Sequence, residues 1–154
     1  MFGFSVLLAV LALAGAPAST PVVCNPALTV GEYGLTWQYA NGTPGIVNGA
    51  TIELGPLACG ALVYAAASPQ ERRKIRALNP GVDFDRMLGI GLQVALHEAN
   101  HVALRSKNEC LVEKTARTEI NGLIERYADP KRALFAETDA TVSDAFLPAA
   151  YHGC

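Results

Sequence analysis

The stretch from Leu88 to Ala103 constrains the fold more than any other part of the 154-residue chain. Its apolar residues recur every three or four positions, which is the spacing that places side chains on one face of an α-helix. These positions are Leu88, Leu92, Ala95, Leu96, Ala99, Val102 and Ala103. Because the flanks of the helix are almost wholly apolar, we expect it to run through the middle of a small domain.

Two histidines lie within this apolar helix. His97 and His101 are four residues apart, so their imidazoles leave one face of the helix a single turn apart, as two ligands of a tetrahedral metal ion do. Glu98 would lie beside such an ion, where it could accept a proton from water. The H-E-x-x-H spacing therefore predicts a zinc site with a general base. The plain alternative is a pair of surface histidines around a salt-bridging glutamate.

A catalytic zinc ion usually takes three protein ligands, so a third must lie elsewhere in the chain. In the metzincin extension of this motif, positions 104 and 107 would be glycine and histidine. They are Leu104 and Lys107 here, which excludes that class. The acidic candidates nearby are Glu109 and Glu113.

Geometry favours Glu113 among these two. If the helices on either side of residue 106 form an antiparallel hairpin, position 113 faces the level midway between the histidines. We therefore predict Glu113 as the ligand, and Glu109 as its hydrogen-bonding neighbour or the alternative ligand. Either glutamate could instead be solvated and paired with Lys114 or Arg117.

Residues 1–18 have the pattern of a secretory signal peptide. An apolar run from Met1 to Ala14 is followed by Gly15-Ala16-Pro17-Ala18, which suits cleavage before Ser19. The run is shorter than the about 20 residues of a membrane span, and no basic flank follows it. We therefore expect residues 19–154 to form one secreted domain without stable membrane association after cleavage.

All four cysteines follow the predicted leader. An even number in an exported chain indicates two disulfide bonds. We expect Cys24 to pair with Cys59 and Cys110 with Cys154, since each bridge would tie a terminus to a helix. Zinc binding by the cysteines is disfavoured because no two have C-x-x-C spacing.

The remaining segments predict a small hairpin and several helices. Leu35–Tyr39 and Ala50–Leu54 have strand composition, and Asn41–Gly45 and Asn48-Gly49 have turn composition. Helices are expected over 57–67, from 69 to 79, from about 84 through 104, over 109–127 and over 129–146. Capping signals mark the starts of three of them, namely Ser68 with Glu71, Asp83 or Asp85, and Asn108. The fold class is therefore α+β and mainly helical.

The segment 92–116 resembles the short gluzincin-type metallopeptidase core, in particular that of small exported actinobacterial and phage-encoded proteins. The resemblance is carried by His97-Glu98-Ala99-Asn100-His101 and by Asn108-Glu109 with Glu113, and more loosely by the tail Tyr151-His152-Gly153-Cys154. It implies a minimal zincin-like fold, with a strand beside a cleft and two helices that hold zinc.

The predicted function is that of a secreted zinc metallopeptidase. Glu98 would be the general base, and a peptide or protein substrate would pair with an edge strand, for which Thr51–Leu54 is the candidate. Tyr151 or His152 could donate to the oxyanion, and His152 could replace a ligand, although a solvated tail is the simpler reading.

Two other classes of protein are consistent with the same residues. A zinc-fold binding or inhibitor protein without turnover is the main alternative, and a structural domain without metal is the second. Nucleic acid is excluded as a partner, since the net charge is −2 and no stripe of basic residues appears.

Overall fold

The computed structural model describes residues 4–28, 34–40 and 47–127 of the chain. The elements in these ranges are α1 (Phe4–Ala14), β1 (Val22–Cys24), β2 (Gly34–Ala40), β3 (Val47–Leu54), α2 (Pro56–Ala66), α3 (Pro69–Leu78), α4 (Phe84–Leu104) and α5 (Glu109–Tyr127). The prediction of a mainly helical α+β fold is confirmed. The helix predicted over 129–146 lies outside the described residues.

Helix α4 is the centre of the structure. It is 21 residues long and packs against α1, α2 and α5, and against strands β2 and β3. Leu88, Leu92 and Leu96 are each at most 2% exposed, as the apolar spacing predicts. The histidine-bearing helix is therefore held on several sides by the other elements.

The helix ends follow the capping signals in the sequence. Ser68 and Glu71 form a reciprocal capping box at the start of α3, and Asp83 accepts a hydrogen bond from the backbone of Arg86 at the start of α4. Asn108 accepts one from the Leu111 backbone at the start of α5. These caps set where α4 and α5 begin, and hence which residues meet between them.

The Arg72 guanidinium, on α3, donates hydrogen bonds to backbone carbonyls of two other helices. It donates to the carbonyl oxygens of Tyr64, Ala65, Ala67 and Tyr127. Three of these carbonyls lie at the carboxyl end of α2, and Tyr127 is the last described residue of α5. One side chain thus ties α3 to both helices.

The three described strands form one mixed sheet in the order β1-β3-β2. The predicted hairpin is confirmed as the antiparallel pair β2 and β3, with Trp37 opposite Thr51. Two details differ from expectation. The parallel strand β1 is added, and Asn48-Gly49 lies within β3 rather than in the turn, with an irregular register at Tyr39 and Ala40.

The pairing of β3 also corrects the choice of substrate strand. Ile52–Leu54 pairs with β1 on one side and with β2 on the other. A strand whose backbone is bonded on both sides has no free edge to offer a peptide. Thr51–Leu54 is therefore not an edge strand in this sheet.

Helices α2 and α4 approach each other closely at Gly91. A Cβ atom added there would lie 2.1 Å from the Cβ of Ala61 and 3.1 Å from the carbonyl oxygen of Leu57. Only a residue without a side chain fits at this crossing. The contact brings the helix of Cys59 against the helix of the histidines.

Helix α1 lies in the segment with the signal-peptide pattern. Val6, Val10 and Leu11 are at most 1% exposed, and α1 packs on α2, α4 and α5. While a leader is still attached, its apolar helix is expected to cover apolar surface whether or not it is later removed. The packing of α1 therefore does not test the predicted cleavage after residue 18. Within 4–28, 34–40 and 47–127, no helix combines the length and hydrophobicity of a membrane span.

The Cys24–Cys59 disulfide is present, as predicted. It joins β1 to α2 across 35 residues, with the two Cα atoms 6.0 Å apart. Cys110 is also in a disulfide bond. The other end of the predicted Cys110–Cys154 bridge lies outside the described residues.

Candidate metal centre

His97, His101 and Glu109 form a compact group at the end of the α4–α5 hairpin. The Nε2 atoms of the two histidines are 3.2 Å apart. The Oε2 atom of Glu109 is 3.0 Å from Nε2 of His97 and 3.1 Å from Nε2 of His101. The three atoms make a nearly equilateral triangle of potential ligands.

Local backbone structure brings Glu109 to this place. Arg105 ends α4 in the left-handed conformation, with φ 49°, and its N–H bonds back to the last turn of the helix. Asn108 then caps α5, so Glu109 is in the first turn of the returning helix. A short reversal thus places the glutamate side chain over the two imidazoles.

The hydrogen bonds of the two Nδ1 atoms determine which nitrogen of each histidine is available to a metal ion. Nδ1 of His97 lies 2.8 Å from Oε2 of Glu113, and Nδ1 of His101 lies 2.7 Å from the carbonyl oxygen of Ser106. A carboxylate and a carbonyl only accept hydrogen bonds, so both Nδ1 atoms carry the proton. The Nε2 atoms are then the ones available to a cation.

Glu113 lies away from the triangle of ligand atoms. Its side chain is 2% exposed. Its Oε1 atom accepts hydrogen bonds from Nε2 of Gln93 and from Nε of Arg117, both at 3.0 Å. The structure thus places Glu109 at the Nε2 atoms and Glu113 on the far nitrogen of His97.

The glutamate predicted at the two histidines and the glutamate observed there are one helical turn apart on α5. Gln93 is four residues before His97, and Glu113 bonds to both, so position 113 faces the level between them rather than the level between His97 and His101. Position 109 faces that second level. A shift of one turn, about 5.4 Å, in the register of α5 against α4 puts Glu109 at the level that the sequence geometry assigned to Glu113.

The charges around His97 are strongly coupled. Burial by itself lowers the pKa of His97, but hydrogen bonds with Glu109 and Glu113 and the nearby charge of Glu98 raise it to about 9. The hydrogen bond from His97 lowers the pKa of Glu109. Without a metal ion, this group therefore holds a proton at neutral pH in the place where a cation would bind.

Of the other predicted site residues, some lie within the described part of the chain and some lie outside it. Glu98 is buried, with 6% of its surface exposed, and its charge acts on His97. Tyr151 and His152, the proposed oxyanion donors, lie outside the described residues. The alternative pairing of Glu113 with Arg117 is present, but on a buried carboxylate rather than a solvated one.

The sequence interpretation missed two residues that the structure brings to the site. Gln93 and the carbonyl of Ser106 bond to Glu113 and His101. Helical spacing contains a signal for the first, since Gln93 lies one turn before His97 and is the one polar residue between Met87 and Leu96. The Ser106 carbonyl has no such signal, because it depends on the conformation of the turn.

The sequence matches no protein-family model, and neither the search of curated proteins nor that of solved structures found a match.

Proposed function

We propose that this protein is a zinc-dependent hydrolase, with the ion held by His97, His101 and Glu109, and that it cleaves peptide bonds. The observation that carries the proposal is the triangle of ligand atoms, with sides of 3.0, 3.1 and 3.2 Å. Bonds of about 2.0–2.1 Å in tetrahedral geometry separate ligand atoms by about 3.3–3.4 Å. The three side chains therefore need to move apart by only a few tenths of an ångström to fit zinc.

The donor set also supports zinc in a catalytic role. Two neutral imidazoles and one carboxylate are a known three-ligand set of hydrolytic zinc sites, which keep a fourth position open. When bound, the ion would polarise a substrate carbonyl and make water a stronger acid. A purely structural site would more commonly supply a fourth protein ligand.

Glu98 is the proposed general base. It follows His97 directly on α4, so its carboxylate leaves the helix next to the ligand face without belonging to the triangle. Its burial strengthens its interactions with charges formed nearby. In the proposed reaction, Glu98 takes a proton from the attacking water and passes it to the leaving amine.

The substrate backbone is proposed to pair with β2. This strand packs against α4 and is an outer strand of the described sheet, in contrast to β3. An extended peptide added along such an edge gains backbone hydrogen bonds. The proposal keeps the edge-strand mode expected from the gluzincin resemblance and transfers it to Gly34–Ala40.

The Cys24–Cys59 bond supports export to an oxidising compartment.

Metal content and peptide hydrolysis test the proposal together. The parent, Glu98→Gln and the control Glu71→Gln would be loaded with zinc and assayed on unfolded casein. Glu71 is a suitable control because it is an exposed helix-cap glutamate on α3. We expect one zinc per chain in all three proteins, and a hydrolysis rate that falls about 10²–10⁴-fold in Glu98→Gln alone.

Two results would count against this function. Hydrolysis by Glu98→Gln at the parent rate would remove Glu98 as the base. Stoichiometric zinc in the parent without cleavage of casein or of a random peptide library would favour the binding or inhibitor alternative.

A further inference from the structure

We propose that Glu113 is a positioning residue, which holds the His97 ring in the orientation that presents Nε2 to Glu109 and His101. This inference rests on the metal site of the proposed function but not on hydrolysis. It assigns to Glu113 a role that acts through His97 rather than through contact with the ion. The argument uses the hydrogen bonds on both sides of the Glu113 carboxylate.

The bond between Glu113 and His97 fixes the imidazole in two ways. An imidazole can rotate about its bond to Cβ, and it can carry its proton on either nitrogen. With Nδ1 at 2.8 Å from Oε2 of Glu113, the proton stays on Nδ1 and the ring stays in one rotation. Nε2 is thereby directed toward the ligand group in the form that can bind a cation.

The carboxylate of Glu113 is itself fixed. Its second oxygen accepts hydrogen bonds from Gln93 on α4 and from Arg117 one turn along α5. Three donors thus converge on two oxygens in a fully buried place. An amide at position 113 could not serve all three donors, because its NH₂ group would face either His97 or the pair formed by Gln93 and Arg117.

A second carboxylate on α5 shows what a merely structural contact between these helices looks like. Glu119 accepts a hydrogen bond of 2.8 Å from the Asn100 side chain on α4. The pair joins the same two helices, and no hydrogen bond in the described structure connects it to either ligand histidine. Glu119→Gln is therefore a matched control for Glu113→Gln.

Zinc affinity distinguishes the two carboxylates. The full chain, Glu113→Gln and Glu119→Gln would each be titrated with zinc in competition with a chromophoric chelator. We expect Glu113→Gln to bind zinc about 10–100-fold more weakly than the parent, which is the usual cost of losing such a partner of a ligand histidine. We expect Glu119→Gln to remain within about threefold, since it touches no ligand.

A spectroscopic measurement separates positioning from general loss of stability. In the zinc-loaded parent, the Nδ1 proton of His97 should give a slowly exchanging imidazole resonance because its acceptor is buried. In Glu113→Gln this resonance should exchange rapidly or disappear, while that of His101 persists. If Glu113→Gln does not fold, Arg117→Met replaces it as the test variant. Arg117 is half-buried and donates to Glu113, so its loss should weaken zinc binding several-fold.

Each outcome has a separate meaning. If the parent binds no zinc, both the proposed metal site and this inference are overturned. If the parent binds zinc and both glutamine variants bind it equally well, or lose affinity equally, the positioning role of Glu113 is wrong while the metal site stands. Loss confined to Glu113→Gln and to the His97 resonance supports the inference.

Discussion

The two sides of helix α4 carry different kinds of residue, small and apolar toward α2 and polar toward α5. Toward α2, Gly91 lies against Ala58 and Ala61, with no room for a further carbon atom. Toward α5, the same helix presents Gln93, His97, Asn100 and His101 to acidic side chains. One helix thus combines a close apolar contact with a polar network.

The two sides stabilise the fold through different interactions. Small apolar residues let two helices approach closely and gain dispersion contacts without desolvating any charge. The polar side buries Glu98 and Glu113 together with the histidines, and hydrogen bonds and ion pairs outweigh the desolvation, since the pKa of His97 rises to about 9 and that of Glu113 falls despite their burial. Such a cluster of perturbed ionisable groups is typical of functional sites.

The largest expected effect concerns the two histidines that are proposed as zinc ligands. His101→Ala should weaken zinc binding about a thousandfold, equivalent to about 4 kcal/mol, because one of three ligands is lost. Gly91→Ala, on the other side of the helix, should keep its zinc affinity within a few-fold. Chelator competition on both variants measures this, and zinc binding by His101→Ala at parent strength would break the comparison.

The next effect is a pH dependence of the metal-free protein. The pKa of His97 is raised from 6.5 to about 9 on folding. The resulting stability is fully present below pH 6.5 and is lost as the pH rises through 9, by up to about 3 kcal/mol. Urea unfolding with chelator at several pH values between 6 and 9.5 tests this.

A variant without the titrating group gives the control for the pH measurement. His97→Gln should lose most of the decline in stability between pH 6.5 and 9. If the parent and His97→Gln declined in parallel, the charge of His97 would not contribute to stability through Glu109 and Glu113.

A smaller effect is expected from overpacking the α2 side. Gly91→Ala should destabilise the fold by about 1–3 kcal/mol, since the added carbon would overlap Ala61 and press on the backbone of Leu57. Thermal unfolding measures the loss. An unchanged melting temperature would mean that α2 and α4 are free to separate.

The smallest effect has the opposite sign. Gly60 lies in α2, and among the described residues no atom beyond its chain neighbours and the backbone of its own helix is within 4 Å of an added Cβ. Gly60→Ala should therefore stabilise the protein by about 0.5–1 kcal/mol through helix propensity. The same thermal measurement on both glycine variants compares a crowded position with an open one, and equal shifts would contradict the close contact at Gly91.

The local parts of this structure could be read from the sequence. Apolar spacing located α4, and strand composition located β2 and β3. The caps at Ser68 and Asn108 located the starts of α3 and α5, whereas for α4 the sequence left Asp83 and Asp85 as alternatives and the structure has Asp83. Each of these signals depends on neighbours within a few residues. The relation between His97 and His101 belongs to this set, since it follows from helical geometry alone.

Contacts between elements were harder to predict. The addition of β1 to the sheet made β3 an inner strand, and no pattern within Thr51–Leu54 contains that information. The Cys24–Cys59 pairing was chosen correctly among three possibilities, but by an argument about chain ends rather than by a local signal.

The sequence by itself therefore determined a helix that presents two imidazoles on one face, with Glu98 beside them. Only the tertiary structure decided which glutamate meets them, because that depends on how α5 returns after Arg105 and on its register against α4. A difference of one turn in that register brings Glu109 to the Nε2 atoms and Glu113 to Nδ1 of His97. Spacing along a chain fixes geometry within a helix, whereas side-chain packing fixes geometry between helices.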